Sequence, residues 1–327
     1  MASIKDVARA ANVGVGTASR ALSGNGYVAP ETRKKIEDAA RTLHYTPSEL
    51  ARNLLRNRSG IIAVVIPCLD HCFYAKFVQL IESKLYDHGY RTLICCTLNQ
   101  NNAEQDYLDM FRKNLVDGII TATHSFLDED YQNSCHAIVS FDRDFHDPSI
   151  PIVCSDHVKG GTMAAQRFLD NGCKKVLQIY GSGTTDGHTI VNTAHDTFQH
   201  VLESHNAEVF NSFTDWNRWD QEYYQEVIRE CMERYPDIDG VFTSDTFALH
   251  FLAEAQNRGF HIPKDIKIIS YDGTSLTQMV SPSITAVVQD IDALTTRLIQ
   301  VLFQLISGQK VEPCYLIDVK WKSGQTA

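Results

Sequence analysis

From Gly60 onward the chain repeats one alternation: a short, continuously apolar run, then a stretch at helical spacing. The first run, Ile61-Ile-Ala-Val-Val-Ile66, has no polar residue to turn toward water. Such a strand must be covered on both faces, the condition of a parallel sheet flanked by helices. Runs at 91–97, 118–122, 137–141, 152–155, 175–180, 240–243 and 266–271 repeat the pattern, and a helix is predicted over 73–88. One open sheet of this size is less favourable than two, so two similar α/β lobes are expected. Ligands of such sheets bind beyond the carboxyl ends of the strands, so facing lobes place a ligand in the cleft between them.

The first sixty residues read differently. Ser3-Ile-Lys-Asp6 has the form of a capping box, with Asp for the usual Glu, and Ile4, Val7 and Ala8 follow at helical spacing. A turn at Ala11-Asn-Val-Gly14 leads to a second helix through Val15–Leu22, broken by Gly24-Asn25-Gly26. Pro30 suits the first position of a third helix carrying Thr32, Arg33, Ile36, Ala39, Ala40 and Leu43. Two short helices across a tight turn with a supporting third make either a helix-turn-helix or an ordinary small bundle. In the first case the second helix lies in the major groove. Val15, Gly16 and, one turn on, Arg20 then meet base edges, and the hydroxyls of Thr17 and Ser19 suit phosphates.

Charge supports the DNA reading. The net charge is −10, yet residues 1–60 hold ten Lys/Arg against five acids, so this end is +5 and the rest −15. A basic end on an acidic body is a localised footprint for a polyanion, or a solvated basic face. Nine scattered cysteines, several within strand-like runs, fit reduced thiols in the cytosol rather than a disulfide framework. No apolar run approaches a membrane span, and the N-terminus lacks the apolar core of a secretory signal.

Ile4-Lys-Asp-Val-Ala-Arg-Ala-Ala-Asn-Val13, Thr17-Ala-Ser-Arg20, Thr32-Arg33, Leu43-His-Tyr-Thr-Pro47 and Ala51-Arg52-Asn-Leu54 stand in one order and spacing. Together they resemble the head of the LacI/GalR repressor family. The likeness continues through Ile61–Pro67, Phe73-Tyr74-Ala75, Gly160-Gly161, Asp239-Gly240, Asp245, Pro263-Lys-Asp-Ile and Ser270-Tyr-Asp-Gly273, and is weaker from 184 to 235. It implies a helix-turn-helix domain over 1–46 and a hinge helix and linker over 47–59. A two-lobed, periplasmic-binding-protein-like domain follows over 60–327. The first lobe would take about 60–157 and 289–316, the second about 158–288 and 317–327. The resemblance assigns DNA contacts to Ser3, Val15, Gly16, Thr17, Ser19, Arg20, Asn25, Arg33 and Arg52, with Leu54 as a minor-groove wedge. It assigns effector contacts to Asp272, which ends a strand, and to Ser244 and Asp245, where the family often has Asn-Asp. Asp156 also ends a strand, and Phe73, Tyr74, Trp216 and Trp219 offer stacking walls, or else core packing.

Departures from the family sharpen the expectation. Gly14 and Ala29 replace usual capping serines, weakening each helix start by about 1 kcal/mol. Ala194 stands where the family often has Arg four positions before Phe198, which favours a neutral effector. The implied protein is a regulator, most commonly a repressor, working without a cofactor or membrane. It would act as a homodimer on a pseudo-palindromic double-stranded operator, in the cytoplasm at the nucleoid, under a small sugar-like effector. No leucine heptad trails Trp321, so no tetramer built that way is expected.

Three competing readings are weaker. Gly181-Ser-Gly183-Thr-Thr-Asp186 follows a strand, as a nucleotide enzyme's phosphate loop would, but its third glycine is displaced to Gly187 and no P-loop Lys follows. Cys68-Leu-Asp-His-Cys72 lacks a second cluster for a metal. A soluble sugar-binding transport protein would lack the basic head. No catalytic constellation is recognisable, so no enzyme is expected.

Overall fold

The computed structural model describes residues 2–24, 26–45, 58–98, 103–113, 115–123, 128–132, 137–181, 190–215 and 218–327. The chain divides into two compact units, Met1–Ser59 and Gly60–Ala327. The expected hinge helix, with Arg52 and Leu54, lies outside the described residues, as do Asn25, Trp216 and most of the glycine loop after Gly181.

The first unit has three helices, α1 (Ile4–Ala10), α2 (Val15–Ser23) and α3 (Pro30–Thr42). The capping box forms: Ser3 Oγ accepts from the Asp6 amide and Asp6 accepts from the Ser3 amide at 2.9 Å. Gly14 and Ala29 cap without side-chain bonds. Val7, Ala8, Ala18, Ala21, Ile36 and Ala40 form the core. Small alanines let short helices approach closely enough to exclude water.

The second unit contains two six-stranded sheets, ordered β11-β5-β4-β3-β1-β2 and β12-β10-β9-β8-β6-β7. The strands of sheet one are β1 (Ile61–Ile66), β2 (Arg91–Cys96), β3 (Gly118–Thr121), β4 (Ala137–Phe141), β5 (Ile152–Ser155) and β11 (Cys314–Ile317). Those of sheet two are β6 (Lys175–Gly181), β7 (Glu208–Thr214), β8 (Gly240–Ser244), β9 (Lys267–Asp272), β10 (Thr285–Gln289) and β12 (Val319–Lys322). All pairs are parallel except β10 with β12. Helices α4 (Cys72–Asp87), α5 (Ala103–Arg112), α6 (Asp128–Gln132), α7 (His157–Asp170), α8 (Asn192–Ser204), α9 (Gln221–Arg234), α10 (Asp245–Asn257) and α11 (Ile291–Ile306), with a short 3-10 helix at Ser275–Gln278, complete the described unit.

β1 and β7 show how position in the sheet shapes the sequence signal. Central β1 is apolar throughout and almost wholly buried, whereas the edge strand β7, Glu-Val-Phe-Asn-Ser-Phe-Thr, alternates and is half-exposed. β7 and β12 interleave polar residues, β10 and β11 are apolar runs of only three or four residues, and these four strands add to the sequence expectation.

The chain passes between the sheets three times, near 155–157, 289–291 and 317–319. The crossings are braced: Ser155 Oγ donates to Gln289 Oε1 at 2.7 Å, Lys159 pairs with Asp318 at 2.6 Å, and Lys320 pairs with Asp290. α11 follows a sheet-two strand yet returns Leu294, Leu298, Val301 and Leu302 to the sheet-one core. Helices α7 and α8 meet backbone to backbone, and a Cβ on Gly161 would lie 2.2 Å from the Ala194 carbonyl oxygen. Among the described residues, no helix is long and apolar enough to cross a membrane.

Candidate functional site

On the first unit, α2 presents Val15, Gly16 and Arg20 to solvent while Ala18 and Ala21 face the core. Open space surrounds a Cβ built on Gly16, so close approach of another molecule is unobstructed. Arg20 Nε donates to the Gly16 carbonyl at 3.3 Å, which folds its stem along the helix. Thr17 and Ser19 are half-buried. Ser3 is spent on the capping box, though its hydroxyl stays at the surface. Arg33 departs from the sequence expectation: its Nη1 donates to the Ala21 carbonyl at 2.6 Å. A cation there neutralises the C-terminal end of α2 and holds it against α3. Tyr27, 87% exposed, was not singled out by patterning, because one aromatic in a loop has no periodic signal.

On the second unit a cavity of about 160 Å³ opens between the carboxyl ends of the two sets of strands. The sheet-one side supplies His71, Phe73 and Tyr74 at the start of α4, and Phe141 and Asp142 at the end of β4. The sheet-two side supplies Tyr180, Asn192, His195, Asp215, Arg218, Trp219, Ser244, Tyr271 and Asp272 among others. Phe73 stacks on Phe141 with ring centres 5.6 Å apart. Trp219 meets His71 edge-on at 4.7 Å and packs against the sheet-one core, spanning the cleft.

Two acids face the cavity from strand ends. Asp142 (φ +53°) and Asp272 (φ +100°) both adopt a left-handed backbone that Asp tolerates better than most residues. Asp142 accepts from His157 Nε2 at 2.9 Å, and the other ring nitrogen lies 2.6 Å from the Tyr271 hydroxyl. This chain ties the end of β4 to the end of β9. Gly160 leaves room for it, since a Cβ there would sit 2.9 Å from the Tyr271 hydroxyl. Asp272 accepts from Gln289 Nε2 at 2.8 Å, which joins the cleft to the braced crossings. Burial, then the nearby Asp245 and Asp142, hold the Asp272 carboxyl well above the usual carboxylate range. Among the described residues Gln289 is its side-chain donor, and a polyhydroxy ligand would bring more.

Phe73, Tyr74, Trp219, Ser244 and Asp272 thus lie together on the cavity. Asp156 and Asp245 do not, and are corrected. Asp156 is the N-cap of α7 and accepts from the Lys159 amide at 2.9 Å, since a residue that ends a strand also begins the next helix. Asp245 turns inward, accepting from the Gly273 amide (3.2 Å) and from the amide and hydroxyl of Thr274 (2.6 Å each), so it fixes the loop beside Asp272. Ala194 is fully buried against α7, and the polar groups facing the cavity from this helix are Asn192 and His195. Arg218 also lines the cavity but is engaged by Asp220 at 3.6 Å and lies 4.2 Å over the Tyr223 ring. Cys68 is a buried thiol, and among the described residues no three metal-ligating side chains converge.

Residues 3–48 match the family described as bacterial regulatory proteins, lacI family, and residues 165–326 match a periplasmic binding protein-like domain. The sucrose operon repressor of Streptococcus mutans is 33% identical over 327 residues, covering 100% of this chain and 99% of its own length. The ribose operon repressor of Halalkalibacterium halodurans is 33% identical over 303 residues, covering 91% of this chain and 89% of its own. Among solved structures, the lac repressor dimer bound to operator and the anti-inducer ONPF matches with a TM-score of 0.86 at 19% identity, over 99% of this chain and 98% of that one. At that identity the likeness shows a shared fold.

Proposed function

Because the chain belongs to the lacI family of bacterial regulatory proteins, we propose that it is a transcriptional repressor whose operator affinity is set by a small neutral sugar held between its lobes. The observation that carries the sugar reading is the cleft: aromatic faces of Tyr74 and Trp219 beside a buried, under-donated carboxyl on Asp272. Aromatic walls cover the apolar faces of a sugar ring, and a carboxylate accepts from vicinal hydroxyls. Among the described lining residues the one Lys/Arg side chain is Arg218, and it is shared with Asp220 and the Tyr223 ring, which weakens it as an anchor for an anionic ligand.

The exposed Val15, Gly16 and Arg20 read base edges from the major groove, with Thr17 and Ser19 toward phosphates. Val15 offers apolar contact and Gly16 no side chain, so Arg20 and DNA shape carry much of the discrimination. The protein works as a homodimer on a pseudo-palindrome, in the cytoplasm at the nucleoid. The sugar acts by favouring one arrangement of the lobes about the three braced crossings, and a coupling of about 1–3 kcal/mol is ordinary for such linkage. Both relatives named above are sugar-operon repressors, which agrees with this reading.

The test is a thermal-shift panel of sucrose, cellobiose, D-fructose, D-ribose, their phosphates and nucleosides. A ligand at 100 times its dissociation constant adds about 2.7 kcal/mol. A selective shift with a neutral sugar is expected, and shifts confined to nucleosides or sugar phosphates would contradict the proposal.

A further inference from the structure

A ladder of side-chain amides runs through the second lobe from the surface to the cleft. Its outer end is the exposed Glu203 on α8, which accepts from Gln199 Nε2 at 2.7 Å. A carboxylate only accepts, so this contact fixes which way the Gln199 amide points. Gln199 Oε1 then accepts from Asn211 Nδ2 at 3.1 Å and from Gln178 Nε2 at 3.4 Å. Asn211 Oδ1 accepts from Gln178 Nε2 at 2.8 Å. With its nitrogen so engaged, the fully buried Gln178 turns Oε1 toward His195, 3.0 Å from Nδ1. His195 must donate there, so Nδ1 carries the ring proton.

The rest of the ring is held by packing. It lies parallel to Tyr180 at 4.2 Å with an interplanar angle of 7°, and Phe242 stands 5.0 Å away. His195 is 6% exposed. Burial, with a smaller contribution from His157, pushes its pKa down to about 3, so the ring is neutral. With the single proton on Nδ1, Nε2 is bare. It has no hydrogen-bond partner among the described residues, and the ring lines the cavity.

We infer that His195 is a specificity-determining residue of the cleft: its bare Nε2, an acceptor only, requires the ligand to place a hydroxyl or N–H donor against it and turns phosphate or carboxylate oxygens away. This rests on the reading of the cleft as a sugar site and names the atom by which a neutral sugar is preferred. The facing wall agrees. His71 Nδ1 is sealed from solvent with no hydrogen-bond partner among the described residues, and burial lowers that imidazole to about 4. A cleft with two neutral imidazoles suits hydroxyl groups better than anions.

The test uses the full chain, ¹⁵N-labelled at histidine, with two-bond proton–nitrogen spectra of the imidazoles. The signal lost in His195→Phe should show a protonated Nδ1 and a bare Nε2, unchanged from about pH 7.5 to about 5.5, where an ordinary histidine titrates. An Nε2–H tautomer, or titration in that window, overturns the inference. Calorimetry then uses sucrose, D-ribose and D-ribose 5-phosphate as probes. The neutral sugar that binds the wild type should bind His195→Phe about tenfold more weakly, the scale of one neutral hydrogen bond. His195→Gln, which keeps an acceptor near the reach of Nε2, should recover part of that loss. Undiminished affinity in His195→Phe, or ribose 5-phosphate binding more tightly than ribose, overturns it. If no neutral sugar binds the wild type, the reading of the cleft fails, while the spectrum still decides the state of His195.

Discussion

On the sheet-one side the cleft meets Asp142 and, more extensively, His71, Phe73, Tyr74 and Phe141, rings braced mainly by other rings. On the sheet-two side, beside the rings of Tyr180, Trp219 and Tyr271, it meets Asn192, His195, Ser244 and Asp272, and of these His195 and Asp272 are braced by other polar groups. Both walls come from the same repeat of strand and helix, and in both the site residues sit at strand ends or on the helix that follows. What differs is the layer behind them. Phe73 and Phe141 rest on an apolar core, whereas His195 and Asp272 rest on Gln178 and Gln289, buried amides with both ends engaged. The first arrangement gives shape and area with little directional preference. The second fixes the polarity of each hydrogen bond, because a buried amide left half-satisfied is costly. The ring-backed residues therefore grip a ring, and the amide-backed ones identify its substituents.

The largest effect that separates the walls is on stability against acid. His71 (pKa about 4) and His195 (about 3) lie on opposite walls, both depressed by burial from 6.5. Below 6.5 the unfolded chain binds protons that the folded chain refuses, so stability falls as pH drops. Between pH 7 and about 5 each histidine should cost about 2 kcal/mol, followed by urea denaturation. His71→Phe and His195→Phe should each remove about half of that slope. An unchanged slope in either would show that its ring is not held neutral.

Next, Asp272→Asn should weaken the neutral sugar on the order of 100-fold, the scale of hydrogen bonds to a carboxylate that the ligand's hydroxyls hold ionised, without altering DNA affinity in the absence of sugar. Asn tolerates the left-handed backbone at this position, so the change reads charge rather than strain. Gly161→Ala should destabilise by about 2 kcal/mol, because the new methyl meets backbone that cannot swing aside, with calorimetric unfolding as the check. Smallest, Trp219→Ala should cost about tenfold in sugar affinity for every sugar alike, because it removes area rather than a directed bond. If Trp219→Ala instead changed the ranking of sugars, the division of labour between ring-backed and amide-backed residues would be wrong.

The same contrast explains what the sequence made legible. The head was readable because its motifs are local: Ser3 with Asp6, and Val15, Gly16 and Arg20 on one exposed helix face. The central strands were readable from their unbroken apolar runs, and β7 was not, because an edge strand keeps a polar face. Ser244 and Asp272 were named from the resemblance, and Phe73, Tyr74 and Trp219 as stacking walls or else core; all five lie on the cavity. Asp156 misled because a strand-end acid can equally cap the following helix. His195 escaped because its role depends on Gln178, Asn211, Gln199 and Glu203, drawn from two strands and a helix. No spacing rule links them until β6 and β7 pair.

The central claim is that a neutral sugar in the cleft changes the grip on DNA. It is tested most directly by fluorescence anisotropy with a duplex selected by the protein from a random pool. Binding is measured at fixed salt, with and without saturating sugar, for wild type and Asp272→Asn. The account predicts a pseudo-palindromic duplex and a sugar-dependent change in its dissociation constant of about 5- to 150-fold, present in wild type and lost in the variant. A sugar that calorimetry shows to be bound, yet leaves the wild-type dissociation constant unchanged, would contradict it.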